Sequence, residues 1–181
     1  MGEWKAIQER RPDVEHLVAE NLDTPCIRNS RSLLVTAVAH AYEGEHDTAR
    51  RLEERALEIA FEGFGFRLFG PRVRLALLRN ELDVVEEMID QDVPRRGHDW
   101  MVTSATVWTR LDGLLAIGRH EDVEREAAPL VSSRSVLRPF ALRALGVARE
   151  DESLLLDAIE RFEAFGLDWH AEQTRLLVLQ T

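Results

Sequence analysis

Four short breaks in an otherwise helical pattern constrain this chain more than anything else in it. They fall at Gly44, Asn80, Gly118 and Glu150, at successive spacings of 36, 38 and 32 residues. On either side of each break, apolar residues recur three and four apart, the period of an amphipathic helix. A link of only a few residues forces the two helices it joins to lie antiparallel. The pattern therefore predicts four helical hairpins, each with an apolar face that only a neighbouring hairpin can cover.

Taken in order, residues 1–27 predict an N-terminal capping segment of one or two short polar helices. The hairpins are placed at 28–62, 70–92, 99–131 and 135–167, and a last helix at 168–181, all within a single domain, 1–181. In the first hairpin Leu33, Leu34, Ala37, Val38 and Ala41 face Ala49, Leu52, Ala56 and Leu57. Ser30, Asp47, Asp83, Asp99, Asp151 and Asp168 are candidate N-caps, and Gly44 and Gly166 are candidate helix ends. Pro71 and Pro139 suit the start of a helix, where a missing N–H costs nothing. The run DVPRRGHD (92–99) is the clearest loop.

Composition fits this plan. Leu, Ala, Glu and Arg dominate, all good helix formers, and alternating strand patterns are scarce. The net charge of −10 argues against non-specific nucleic-acid binding, which depends on neutralising phosphates. Of the 23 cationic residues only Lys5 is not arginine. The single Cys26 excludes an internal disulfide framework and suits a reducing, cytoplasmic setting. Residues 1–17 lack the apolar core of a secretory signal, and no apolar run reaches the ~18 residues of a membrane span.

The mid-thirties period of helix–turn–helix units is that of tetratricopeptide-like repeats. Aligned on Gly44, the first hairpin carries Ala37, Ala49, Ala56 and Leu57 where such repeats carry small and apolar signature residues. The other copies are degenerate: Asn80 replaces the turn glycine, and Val85 and Val123 replace the small alanine of the second helix. The fold expected is all-α, a right-handed α-solenoid of about four degenerate helix pairs with flanking helices. Three stretches carry a further resemblance: TPCIRNSRSLLVTAVAHAYEGEHDTARRLE, GRHEDVEREAAPLV and LRPFALRALGVAREDESLLLDAIERFEAFGLDWHAEQTRLLV. They resemble the C-terminal helical-repeat region of large bacterial regulators that join a signal-transduction ATPase to a cyclase-like or LuxR-type output domain. The chain has no Walker-type glycine loop and no cyclase carboxylate motif. The resemblance therefore implies a regulatory docking or scaffolding role, in a stand-alone protein or a piece of a longer one.

No residue pattern asks for catalysis, a metal or a cofactor. None of the six histidines forms a zincin-type pair. His40 and His46 could meet Glu43 and Asp47 around the first turn, though a solvated turn explains them as well. His98-Asp99-Trp100 and Asp168-Trp169-His170 read as a capping aspartate beside a packing tryptophan. Thr103, Ser104 and Thr106 have no base partner and no glycine elbow.

Charge, by contrast, is sorted by helix. Arg72, Arg74 and Arg79 occupy the first helix of hairpin two, while Glu81, Asp83, Glu86, Glu87, Asp90 and Asp92 follow in the second. Hairpin four repeats this, with Arg138, Arg143 and Arg149 ahead of an acidic second helix. First helices line the concave side of a tetratricopeptide-like stack. An arginine-bearing groove follows, with Arg31, Arg67, Arg74, Asp112 and Arg143 as polar contributors and Tyr42 and Trp108 as apolar anchors. An acidic peptide or a C-terminal carboxylate suits such a groove. A local explanation competes: arginine at one helix end and acid at the next start both complement helix dipoles.

The function expected is a non-catalytic module that binds a protein or peptide partner. The alternative is a ligand- or nucleic-acid-responsive regulatory module whose effector domain lies elsewhere. Leu176, Leu177 and Leu179 give the last helix an uncapped apolar face, which either docks back on Phe162 and Phe165 or mediates a homodimer.

Overall fold

A computed structural model describes residues 3–24, 26–60, 65–91 and 100–179, without the side chains of Phe66 and of residues 100–104. The 92–99 loop, with His98 and the Asp99 cap, lies outside the described residues. The described residues form eleven α-helices and no strand. They are α1 (Trp4–Glu9), α2 (Arg11–Glu20), α3 (Ile27–Tyr42), α4 (His46–Glu58), α5 (Phe69–Leu78), α6 (Leu82–Asp90), α7 (Trp100–Ala116), α8 (His120–Val131), α9 (Arg138–Arg149), α10 (Glu152–Ala164) and α11 (Asp168–Val178). A short 3-10 turn, Gly65–Arg67, precedes α5.

Two compact units emerge, residues 3–102 and residues 103–181. In the first, α3 packs along α4, α5 lies against both α3 and α6, and α1 and α2 lean on α3. Its core is Val18, Leu33, Leu34, Ala37, Val38, Leu52, Ala56, Leu68 and Leu75 with their neighbours. In the second, α9 packs on α8 and α10, and α10 on α11. Phe140, Leu142, Ala158, Phe162 and Ala171 form its centre.

All four breaks are one structure. Gly44, Asn80, Gly118 and Glu150 have φ of 81°, 57°, 71° and 53°, the left-handed conformation that ends a helix. The residue after each donates its amide back to a carbonyl five residues earlier. These bonds are Glu45 to His40, Glu81 to Ala76, Arg119 to Leu114 and Asp151 to Gly146, each 2.9 Å. The left-handed residue itself bonds three residues back. This double closure is the Schellman motif, which satisfies carbonyls the helix end would otherwise orphan. Gly166 makes a fifth copy, with Leu167 bonded to Phe162 at 2.8 Å.

The residue after the left-handed position is also the N-cap of the next helix, which moves most of the expected caps. Glu45, Glu81 and Leu167 stand at the N-caps of α4, α6 and α11, so Asp47, Asp83 and Asp168 lie inside the first turn instead. There their charge still meets the positive end of the helix dipole. Ser30 is buried within α3, which begins three residues before it, at Ile27, behind an extended Cys26. Among the described residues only Asp151 unites both roles, its Oδ1 accepting from Ser153 N at 3.0 Å and Leu154 N at 3.4 Å. Pro71 is the third residue of α5 rather than the first, still within the turn that needs no N–H. Pro129 sits inside α8, which runs two residues past it.

Counting from the left-handed residue puts the hairpins in register. Five positions on lie Ala49, Val85, Val123, Leu155 and, after Gly166, Ala171, all wholly buried. Seven positions back lie Ala37, Val73, Leu111 and Arg143. The last is the exception that matters for the site: a guanidinium stands where the other hairpins place an apolar side chain.

Candidate functional site

In the 3–102 unit, the expected groove residues lie on three elements. Arg31 and Tyr42 are on α3, Arg67 ends the 3-10 turn, and Arg74 is on α5; all four are half-buried. Tyr42 is already covered. The Trp4 ring of α1 stacks on it at 4.5 Å between centroids and 15° between planes. Arg79, by contrast, turns away from any groove. It reaches α4, where its Nη1 lies 2.6 Å from Glu53 Oε2, and both side chains are largely buried.

His40 forms a polar contact that its sequence neighbours do not suggest. Its Nδ1 lies 2.7 Å from Glu45 Oε2 and 3.5 Å from Gln8 Nε2. Nδ1 cannot donate to the carboxylate and accept from the amide at once. The shorter contact decides: Nδ1–H donates to Glu45. His46, Glu43 and Asp47 do not join them in a metal site; among the described residues no group of His, Cys, Asp and Glu could hold a metal ion.

A cleft of about 300 Å³ opens between α2 and α4. Val18, Ala19 and Leu33 floor it, and Glu15, Arg51, Glu54, Arg55 and Glu58 rim it. The rim is internally paired, with Arg51 2.5 Å from Glu15 and Arg55 2.8 Å from Glu58.

In the 103–181 unit, Asp112 and Arg143 meet each other. Arg143 is 6 % exposed, and its Nη2 donates to Asp112 Oδ1 at 2.6 Å. Its guanidinium lies 5.6 Å from the ring centroids of both Phe140 and Phe162. Trp108 stacks on Phe140 at 4.4 Å, and His170 stacks on Phe162 at 5.4 Å. The expected anchor and both expected polar contributors here are thus parts of one internal cluster. Its guanidinium is held by cation–π attraction and a charge-assisted hydrogen bond. The Asp-Trp-His stretch contributes His170 to this cluster and Asp168 to a helix start.

Arg149 repeats the behaviour of Arg79. Its Nε and Nη2 reach Glu124 of α8 at 2.5 and 2.6 Å. Each arginine immediately precedes a left-handed residue and clamps its hairpin to the second helix of the hairpin before. Part of the charge sorting is therefore structural.

The last helix docks on α10 through His170 and Ala171 against the fully buried Phe162. Phe165 stays 49 % exposed, as do Leu176 at 44 % and Leu179 at 81 %, while Leu177 is half-buried.

Several carboxyls are held below their ordinary range by their partners: Glu15 by Arg51, Asp122 by Arg119 and Arg125, Glu124 by Arg149, and Asp151 by the Ser153 hydroxyl. Depressed folded values add stability that is present above the unfolded carboxylate pKa and disappears as pH falls through the folded one. The midpoint of urea unfolding is therefore expected to be flat above about pH 5 and to fall steadily below about pH 4. A midpoint that rises on acidification would contradict these pairings.

Compared with protein-family models, with curated proteins and with solved structures, the chain matches none. Among the described residues no helix is long and apolar enough to cross a membrane.

Proposed function

We propose that this chain is a non-catalytic helical-repeat module that binds a protein or peptide partner, with a regulatory role. Its hairpins belong, on this reading, to a right-handed α-solenoid of the tetratricopeptide-like kind. The observation that carries the proposal is the identical Schellman turn at Gly44, Asn80, Gly118 and Glu150. One hairpin design repeated along a chain builds an extended binding surface rather than a catalytic cavity. The binding surface is assigned to Arg31 on α3, Arg74 on α5 and Arg67 in the 3-10 turn before α5. Arg143 and Asp112 leave the set, because they belong to the internal aromatic cluster of the 103–181 unit, where Arg143 is buried. An acidic segment suits the remaining arginines, which pair bidentately with carboxylates.

Affinity capture from the native host tests the reading. Wild-type protein is expected to retain a partner that the Arg31→Glu, Arg74→Glu variant loses, both proteins giving the same circular dichroism. Retention of every partner by the variant would contradict it. A homodimer through Leu176 and Leu179 is a second proposal, favoured by their exposure.

A further inference from the structure

Arg143 stands where the other hairpins carry hydrocarbon, and the reason lies in which helix faces it. In the 103–181 unit the first helices α7 and α9 meet through two contacts one turn apart. Trp108 stacks on Phe140 at 4.4 Å, and Asp112 Oδ1 accepts from Arg143 Nη2 at 2.6 Å. Asp112 lies six positions before the left-handed Gly118, and Arg143 seven before Glu150. In the 3–102 unit the same two places on α3 and α5 are Val38, six before Gly44, and Val73, seven before Asn80. Both valines are buried. One helix-to-helix position is thus apolar in one unit and ionic in the other, so the hairpin design does not require a charge there.

A buried ion pair contributes little net stability over an apolar pair of similar volume. What it changes is the set of neighbours a helix can accept. The hairpins share one turn and one apolar register, so a first helix with hydrocarbon at every inward position would fit against more than one of the others. A buried guanidinium ends that freedom. Phe140 and Phe162, each 5.6 Å away, shield it but accept no conventional hydrogen bond, so it needs a carboxylate on the facing helix. The place of Asp112 is taken by Val38 on α3, Arg74 on α5 and Ala144 on α9 itself. Of the four first helices, only α7 offers an acid there. We propose that the Asp112–Arg143 pair is a selection device, which seats α9 on α7 and excludes it from α3, from α5 and from the α9 of a second copy. A single buried polar residue that fixes which helices pair, at a cost in stability, acts in the same way in coiled coils. The device is independent of what the module binds.

Amide proton–nitrogen spectra of the full-length protein test this. Wild type is expected to give one set of signals for the 103–181 unit. Asp112→Leu with Arg143→Met is expected to keep the helical circular dichroism yet add a second set, at about 5 % or more of the first. Binding of the apolar dye anilinonaphthalene sulfonate should rise severalfold, as mis-seated helices expose apolar faces. One sharp set of signals with unchanged dye binding would overturn the proposal, as would two sets in wild type. Should the double variant fail to fold, Arg143→Met alone removes the selecting cation and is read in the same way. Loss of the fold in both variants would equally overturn it, because the pair would then hold the unit together rather than choose its neighbour.

Discussion

Replacing Asp112 by alanine is expected to destabilise the 103–181 unit by about 3–5 kcal/mol, the range for stranding one partner of a buried ion pair. The carboxylate is the charge that faces Arg143, whose Nη2 sits 2.6 Å from Asp112 Oδ1. The arginine is too deep to recover water when the acid is removed. Two phenyl rings at 5.6 Å offset part of its desolvation but supply no hydrogen-bond acceptor. Asp112→Asn keeps an acceptor and loses the charge, so it should fall between alanine and wild type. Replacing both residues, Asp112→Leu with Arg143→Met, should recover most of the loss, because an apolar pair of similar volume often matches a buried ion pair. Urea unfolding of the three variants measures this. A loss below about 1 kcal/mol for Asp112→Ala would place the pair in solvent, where ion pairs contribute that little.

The second large effect is expected at Gly146, in the last turn of α9. At an open helical position Gly→Ala stabilises by about 1 kcal/mol. Here a Cβ would come 2.7 Å from Leu155 Cδ2, 2.8 Å from its Cγ and 3.2 Å from the Asp151 carbonyl. Leu155 is wholly buried and cannot swing aside. The contact between α9 and α10 must open, which costs about 1–3 kcal/mol in a well-packed core. The sign of the change is the test: a Gly146→Ala variant more stable than wild type would mean that the two helices do not approach this closely.

The turns of this fold were legible because local chemistry decides them. Glycine and asparagine adopt a left-handed backbone readily, and apolar residues three and four apart mark the flanking helices. Glu150 was legible only from the spacing, since nothing in a glutamate asks for positive φ. Three caps lie one or two residues before the expected aspartate, and that of α3 lies four before Ser30. A Schellman turn hands its last residue directly to the next helix, so Asp47, Asp83 and Asp168 follow the cap rather than form it.

The site was less legible. Arg31, Arg67 and Arg74 were read from helix register; Arg31 lies on α3 and Arg74 on α5, while Arg67 ends the 3-10 turn ahead of α5. Arg143 stands one position out of the register of Arg74 and Asp112 and is buried. Its nearest signal was negative: Ala37, Val73 and Leu111, its counterparts, are all apolar. Trp4 on Tyr42 and His40 on Glu45 were missed. The first pair is 38 residues apart in sequence, and the second depends on which way a turn aims its glutamate. No periodicity encodes either.

One hairpin turn is repeated along the chain, and amide hydrogen exchange tests that repetition most directly. The amides of Glu45, Glu81, Arg119 and Asp151 each donate across a turn at 2.9 Å. Those of Asp47, Asp83 and Glu121 lie in first turns, where a helix has no acceptor of its own to offer. Exchange slowed by about a hundredfold or more in the first group relative to the second, about 3 kcal/mol of local protection, is the result predicted. Rapid exchange at any of the four turn amides would contradict the repeat.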